Sequence, residues 1–231
     1  MVVSDGAGSG FGQSRASLAT LGTCPDITYT VTALGHHTAN PGAEHQHALK
    51  RLFHYLRGTT DYKLVYQCGV ADRDDLVGYV DADWGSDVND HKSTSGYMFK
   101  LAGGAVSWSS KKQGCVALSS TEAEYVAGAH AAKEAIWLGR LFAGLQQPST
   151  FPIPLLIDNQ SAITITKNPE FHDRTKHINI RYHFLHHKVE SGELTLNYLP
   201  TSNQPADILT KGLSQEKHDR FVKDIGLHCE D

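Results

Sequence analysis

The stretch Leu76-Val-Gly-Tyr-Val-Asp-Ala-Asp-Trp84 constrains the fold more than any other part of the chain. It is a short run of β-branched, aromatic and small apolar residues that reads as a strand, and it closes on two carboxylates. Side chains alternate across a strand, so Tyr79, Asp81 and Asp83 share one face while Val80, Ala82 and Trp84 share the other. An acid set beside the core costs desolvation unless a partner compensates it. Alone, the segment fits either a strand running out into an acidic turn, where Asp is common, or a strand delivering a carboxylate to a site. Further acids at comparable positions downstream separate the two.

At 231 residues the chain has room for one large domain, or for one of typical size with an appendage. Its 40% hydrophobic and 9% aromatic content suits a sizeable core. A net charge of −4 excludes an overall basic surface, so contact with nucleic acid would need a local patch. The first ten residues carry neither a basic start nor an apolar core, so no signal peptide is expected. No apolar run approaches membrane-spanning length. Cys24, Cys68, Cys115 and Cys229 are scattered without a CxxC pair and read as reduced thiols of an intracellular protein.

Residues 1–22 are rich in Gly, Ser and Ala and are expected to be loose. A short helical pattern runs from Pro25 towards Leu34, and Asn40-Pro41-Gly42 is a turn. Ala43 to Leu56 places Leu49, Leu52, Phe53 and Leu56 at helical spacing, with Gly58 as a stop. Tyr62–Tyr66 reads as a strand, and the polar joint Asp72 to Asp75 divides residues 1–74 from 75–231. An acidic loop, Gly85 to Ser95, follows the opening strand. Gly96–Leu101 and Ala105–Ser109 then flank Ala102-Gly103-Gly104 as a hairpin, and Cys115–Leu118 is expected to continue the sheet. The longest helix is expected from Thr121 to about Leu145, with Tyr125, Ala129, Ala132, Ile136, Leu141 and Leu145 on its apolar positions. Phe151–Ile157 is a buried-type strand, Asn159 to Thr166 and His177 to Glu190 are helices, Leu194–Leu199 is a strand, and Gln204 to Gly212 starts a final helix. This order predicts a layered α/β domain with a mixed sheet.

Four acids fall where ordered structure meets the end of such a sheet. Asp81 ends the first strand, Glu124 lies in the first turn of the long helix, Asp158 ends the later strand, and Asp207 opens the last helix. Sheets of this kind bind ligands beyond their strand ends. Carboxylates gathered there repel one another unless a cation joins them, and an all-oxygen donor set selects a hard ion such as Mg²⁺ or Mn²⁺. Two ions about 4 Å apart would stabilise the attacking water and the leaving oxygen of a phosphodiester. Each residue also has a plainer role open to it. Glu124 could complete a capping box with Thr121, as Glu122 could with Ser119, while Asp158 and Asp207 could favour helix N-termini through the dipole. The ordered set is a stronger signal than any member.

Seven motifs then occur in order: Asp81-Ala-Asp-Trp84, Lys92-Ser-Thr-Ser-Gly-Tyr97, Ser107-Trp-Ser-Ser-Lys-Lys-Gln113, Ala117-Leu-Ser-Ser-Thr-Glu-Ala-Glu-Tyr125, Asp158-Asn-Gln-Ser-Ala162, Arg174-Thr-Lys-His-Ile-Asn-Ile-Arg-Tyr-His-Phe184 and Ala206-Asp-Ile-Leu-Thr-Lys211. Together they resemble the ribonuclease H region of copia-like LTR retrotransposon polyproteins, over Leu76 to Leu213. Upstream, Pro25-Asp-Ile-Thr-Tyr29 and Leu52-Phe-His-Tyr-Leu-Arg-Gly58 resemble the end of the reverse transcriptase that precedes it. The polymerase's Tyr-x-Asp-Asp motif is absent, so polymerisation is not expected. The resemblance implies a ribonuclease H-like mixed five-stranded sheet flanked by helices, with a small, mainly helical, thumb- or connection-like segment before it. It implies Asp81, Glu124, Asp158 and Asp207 as catalytic, metal-holding acids, with Glu124 preferred over Glu122 because Glu-Tyr-Val-Ala matches the family's helix motif. It further implies two Mg²⁺ or Mn²⁺ ions, an RNA–DNA hybrid as substrate, the reverse transcriptase of the same polyprotein as a partner, no membrane, and a place in a cytoplasmic retrotransposon particle or the nucleus. Cellular relatives carry a His in the loop before the last helix. Here Pro200-Thr-Ser-Asn-Gln-Pro205 has none, which implies slower turnover.

Substrate contacts are expected from Arg174, Lys176 and Arg181, which lie with Lys188 and five histidines in His172 to Lys188, and from Lys111 and Lys112. A solvated helix face is the plainer reading. Ser119, Ser120, Asn159 and Gln160 flank the acids, where their side chains could read sugar hydroxyls or, for the serines, cap the helix. His183 and His187 share a helix face but lack a third zinc ligand, and Asp81-x-Asp83 with Gly85 fails as a calcium loop. Two other functions are open. One is a DNA strand-transfer enzyme using Asp81, Asp158 and Glu190, which leaves Glu124 and Asp207 unexplained. The other is a non-catalytic, hybrid-binding scaffold.

Overall fold

A computed structural model describes residues 20, 22–67, 75–145, 151–167 and 179–229, with 179–182 by backbone alone. The described chain forms, in order, α1 (Thr28–Gly35), α2 (Ala43–Gly58), β1 (Tyr62–Leu64), β2 (Val77–Asp83), β3 (Thr94–Leu101), β4 (Gly104–Lys112) and α3 (Ser120–Gly144). Then follow β5 (Ile153–Ile157), α4 (Gln160–Lys167), α5 (Asn179–Glu190), β6 (Leu194–Tyr198), α6 (Gln215–Asp224) and β7 (Leu227–Cys229). Five strands make one mixed sheet in the order β4-β3-β2-β5-β6. β2, β3 and β4 form an antiparallel meander, while β5 runs parallel to β2 and β6 parallel to β5. This is the mixed five-stranded sheet with flanking helices expected from the sequence.

The β3–β4 hairpin turns on two residues, Ala102 at φ 50° and Gly103 at φ 83°. Left-handed backbone at both central positions suits a two-residue hairpin loop, so Gly104 already belongs to β4. One sheet face, with Val80, Phe99, Leu155, Ile157 and Leu196, is covered by α3 and α5. α3 contributes small side chains there, among them Ala127, Ala131 and Ala135, which let a helix lie close to the strands. The opposite face, with Met98 and Ala105, is covered by Ile208, Leu209, Phe221, Val222 and Ile225.

Three expectations needed correction. No strand forms over Cys115–Leu118. The Gln113 N–H still bonds to the Ser93 carbonyl (2.8 Å), but the Gln113 amide turns inward to Ser95 Oγ and the Ala123 carbonyl, and the ladder ends there. The helix expected over 204–212 is instead a short 3-10 turn, Pro205–Leu209. The N–H groups of Thr210 and Lys211 both fall on the Asp207 carbonyl, Thr210 leaves helical geometry at φ −122°, and a separate helix, α6, starts at Gln215. Finally, Leu141 and Leu145 are exposed, whereas Tyr125, Ala129, Ala132 and Ile136 are buried. A helix of 25 residues is about 37 Å long, more than strands of five to nine residues can cover.

Before the sheet, a 3-10 turn (Pro25–Ile27), α1 and α2 enclose a small core of Ile27, Val31 and Leu52. Gly58 lies in the last turn of α2 and not beyond it. β1 pairs antiparallel with β7, the Thr32 hydroxyl reaches the Ser110 carbonyl (3.4 Å), and Trp108 Nε1 donates to the Thr20 carbonyl (2.7 Å). Of the loose stretch expected over 1–22, residues 1–19 and 21 lie outside the described residues, as do residues 72–74 of the joint.

Asp26 is buried in this segment and accepts a 2.6 Å hydrogen bond from the Tyr55 hydroxyl. Burial raises its carboxyl pKa, and the Tyr55 hydroxyl offsets only part of that. A raised folded-state pKa contributes stability that is full below the ordinary carboxylate range and is lost as pH rises through the folded value. Asp26→Asn cannot ionise, so in urea unfolding the variant should gain on the parent between pH 4 and pH 8. An unchanged difference across that range would refute the assignment.

Candidate metal centre

The parallel pairing of β2 with β5 begins the site. Val80 stands opposite Ile157, so the next residues along, Asp81 within β2 and Asp158 just past β5, emerge side by side where the parallel pairing ends. Glu124 comes from the first turns of α3, in the layer covering one face. The Ser119 oxygen accepts from the Glu122 N–H (3.1 Å) and Glu122 Oε2 from the Leu118 N–H (2.8 Å), so Glu122 serves the helix cap. Glu124 turns instead to the sheet, where its Oε1 accepts from the Ala82 N–H at 3.0 Å. Its Oε2 is buried with no hydrogen-bond partner.

Asp81, Glu124 and Asp158 each offer a carboxylate oxygen within 4.8 Å of the others. Among the described residues no other group of three or more His, Cys, Asp or Glu side chains comes together in this way. Asp81 is 1% and Glu124 5% exposed. Burial pushes the Asp81 carboxyl up to about 7; Lys211 and the Thr210 hydroxyl pull it back, and the charges of Asp207 and Asp158 add to the rise. Burial likewise raises Glu124 well above the usual range, with Asp81 and Asp158 adding to it. An orphaned inward oxygen, an all-oxygen donor set and mutual repulsion together fit a hard divalent cation.

The fourth expected acid is not in this group. Asp207 is fully buried in the 3-10 turn, with Lys211 Nζ 2.9 Å from its Oδ1 and Lys217 Nζ on its Oδ2. Lys211 also lies 3.3 Å from Asp81 Oδ2, so a lysine stands between Asp207 and the three gathered acids. Ser120 and Gln160 are exposed at the first residues of α3 and α4, and Asn159 Oδ1 accepts from the Ala162 N–H (3.0 Å), capping α4. Lys111 is exposed, but Lys112 is held by Asp87 (2.5 Å) and Asp90 (2.9 Å) of the acidic loop. Arg174 and Lys176 lie outside the described residues, and Arg181 is described by backbone alone. Glu190 closes α5, exposed and 3.9 Å from His186, outside the cluster.

Several residues that shape the site were not anticipated. The Thr201 hydroxyl donates to Asp158 Oδ2 (2.7 Å) and the Thr210 hydroxyl to Asp81 Oδ2. The fully buried Gln204 amide donates to the carbonyls of Val80 (2.9 Å) and Leu156 (3.2 Å), fastening the 3-10 turn to β2 and β5. Trp84 lies just beyond β2, half exposed, with Nε1 donating to the Ala117 carbonyl at 3.0 Å. Trp84, Thr210 and Lys211 fall within the motifs of the sequence, and Thr201 and Gln204 within the loop Pro200–Pro205, but no local pattern assigns them these partners.

This strand order, with acids where the parallel pairing ends and on the helix crossing the strands, is the ribonuclease H-like fold expected from the sequence. The chain is a homologue of the copia-type retrotransposon Pol polyproteins, 40–43% identical over 89% of its length. The retrovirus-related Pol polyprotein from transposon TNT 1-94 of Nicotiana tabacum is 43% identical over 208 residues, and this chain spans 15% of its length. The secreted RxLR effector protein 161 of Plasmopara viticola is 51% identical over 117 residues, which are 50% of this chain and 80% of that protein, placing the two in one sequence family. No protein-family model matches the chain. Among solved structures, LC11-RNase H1 isolated from compost aligns over 64% of this chain and 97% of its own, at 17% identity and a TM-score of 0.46.

Gly96 pairs with Asp81 across β2 and β3, and a Cβ there would lie 2.6 Å from Thr210 Cγ2 and 2.9 Å from Leu209 Cβ. Neither atom is the tip of a flexible side chain. Gly96→Ala should therefore push the Thr210 turn off Asp81 and cost about 1–3 kcal/mol in denaturant unfolding. A loss under about 0.5 kcal/mol, the range of ordinary surface changes, would refute the close packing.

Proposed function

We propose that this domain cleaves the RNA strand of RNA–DNA hybrids by hydrolysing phosphodiester bonds, using two Mg²⁺ or Mn²⁺ ions held by Asp81, Glu124 and Asp158. The observation that carries this reading is Glu124: a buried carboxylate aimed by one backbone N–H, its other oxygen orphaned, beside two more acids. Hard divalent ions bound there would supply charge to both the entering and the leaving oxygen of a phosphodiester. The protein's own part is orientation. Ala82 N–H, the Thr201 hydroxyl and the Thr210 hydroxyl each fix one carboxylate, so the donor set is in place before substrate arrives. Asp207 joins as the fourth acid in this reading through Oδ1, once Lys211 leaves it.

Ser119, Ser120, Asn159 and Gln160 open the two helices that flank the acids. Ser119 accepts from the backbone through its oxygen, which leaves its hydroxyl proton for a sugar 2′-hydroxyl, the group that separates RNA from DNA. Lys111, Arg174, Lys176 and Arg181 would meet backbone phosphates, and Lys112 would do so on leaving Asp87 and Asp90. Residues 1–74 would be the end of a reverse-transcriptase portion, and the protein would act in an intracellular retrotransposon particle or in the nucleus. A binding module without cleavage is the second reading, favoured by the two lysines that occupy both Asp207 oxygens.

Labelled hybrid and duplex DNA offered with Mg²⁺ decide the matter. The RNA strand of the hybrid should be cut and duplex DNA left whole, and Asp158→Asn should lower the rate by about 10³-fold or more, since an amide is a poorer, uncharged ligand. Cutting of duplex DNA alone would favour strand-transfer chemistry, and tight hybrid binding without cleavage under any divalent ion would favour the binding module.

A further inference from the structure

Lys211 occupies the boundary between the three gathered acids and Asp207. Its Nζ lies 3.3 Å from Asp81 Oδ2 and 2.9 Å from Asp207 Oδ1, and its side chain is 31% exposed. The turn beneath it is fixed, because the Thr210 and Lys211 N–H groups bond to the Asp207 carbonyl at 3.2 and 3.1 Å. The two acids differ in what else neutralises them. Asp207 keeps Lys217 on its other oxygen, whereas among the described residues no second Lys, Arg or His pairs with Asp81. The other groups acting on Asp81 are the Thr210 hydroxyl and the acids Asp207, Glu124 and Asp158.

We propose that Lys211 is the resident counter-ion of the acidic cluster, holding beside Asp81 the place a divalent ion takes, so that the Asp81–Lys211 contact and ion binding exclude each other. The inference rests on the metal-centre reading above. A hard divalent ion coordinates a carboxylate oxygen at roughly 2.1 Å, so an ion on Asp81 would stand within a few ångströms of the ammonium already on Oδ2 of the same carboxylate. Two cations so close on one carboxylate repel each other strongly. A lysine has a flexible four-carbon stem and an ammonium that hydrates readily, so it can swing into solvent while its backbone stays in the turn. Asp207 is not left as an uncompensated buried charge when this happens, because Lys217 remains on it. Lys211 therefore makes the ion-free cluster tolerable and subtracts from its affinity for ions.

Thermal unfolding of the full chain under Mn²⁺ titration tests this, with Lys211→Met set against the parent and Asp158→Asn as the control for the site. Mn²⁺ should stabilise the parent, Asp158→Asn should abolish that response, and Lys211→Met should lower the midpoint Mn²⁺ concentration by about tenfold. Equal midpoints in the parent and Lys211→Met would overturn the inference while leaving the metal centre standing. No Mn²⁺ response in either would overturn both. Should Lys211→Met fail to fold, the parent protein decides by amine acylation read out by peptide mass spectrometry. Mn²⁺ should raise the labelling of Lys211 relative to Lys111, and labelling that stays the same or falls would overturn the inference.

Discussion

Repulsion among buried carboxylates is the constraint on which this architecture turns. Like charges within a few ångströms at low dielectric oppose ionisation and oppose the fold that gathers them. The structure answers with three devices at once. Backbone and hydroxyl donors take up individual oxygens, Lys211 contributes a positive charge from the flank, and the Gln204 amide clamps the turn carrying that lysine onto the two strands that carry the acids. None of the three satisfies the inner oxygen of Glu124. The protein is thus built around an unmet electrostatic demand, which a divalent ion is suited to meet.

The division of labour at the start of α3 shows how neighbouring residues of the same chemistry part ways. Glu122 and Glu124 are two positions apart, so on a helix they face different directions. Glu122 bends back to the backbone before the helix and stabilises its first turn, while Glu124 crosses to the edge of β2. Trp84 makes a second tie between the same two elements, through its indole nitrogen and the Ala117 carbonyl. Strand end and helix start are therefore held at two points, and the acid between them has little freedom to drift.

Most of the sheet was legible in the sequence because its strands are short apolar runs with clear punctuation. The placing of Asp81 beside Asp158 comes from the parallel register of Val80 with Ile157, which the expectation of a mixed sheet did not specify. The region from Gln204 to Cys229 was less legible. Its 3-10 turn, its separate helix and the pairing of β7 with β1 depend on tertiary hydrogen bonds and on burial against Met98 and Ala105, which local periodicity does not report. The contributions of Thr201, Thr210, Gln204 and Lys211 were hidden for the same reason. Each is a common polar residue whose role exists only once a distant strand lies beside it.

The antiparallel pairing of β1 with β7 joins segments about 165 residues apart in the sequence. During synthesis the first of these leaves the ribosome long before its mate is made. Until β7 appears, β1 keeps an unpaired edge, and closing so large a loop carries the entropic cost that slows non-local pairing. The two helices before β1 can form early, but their attachment through this ribbon waits for β7, and a chain interrupted before β7 would present that bare edge to its neighbours.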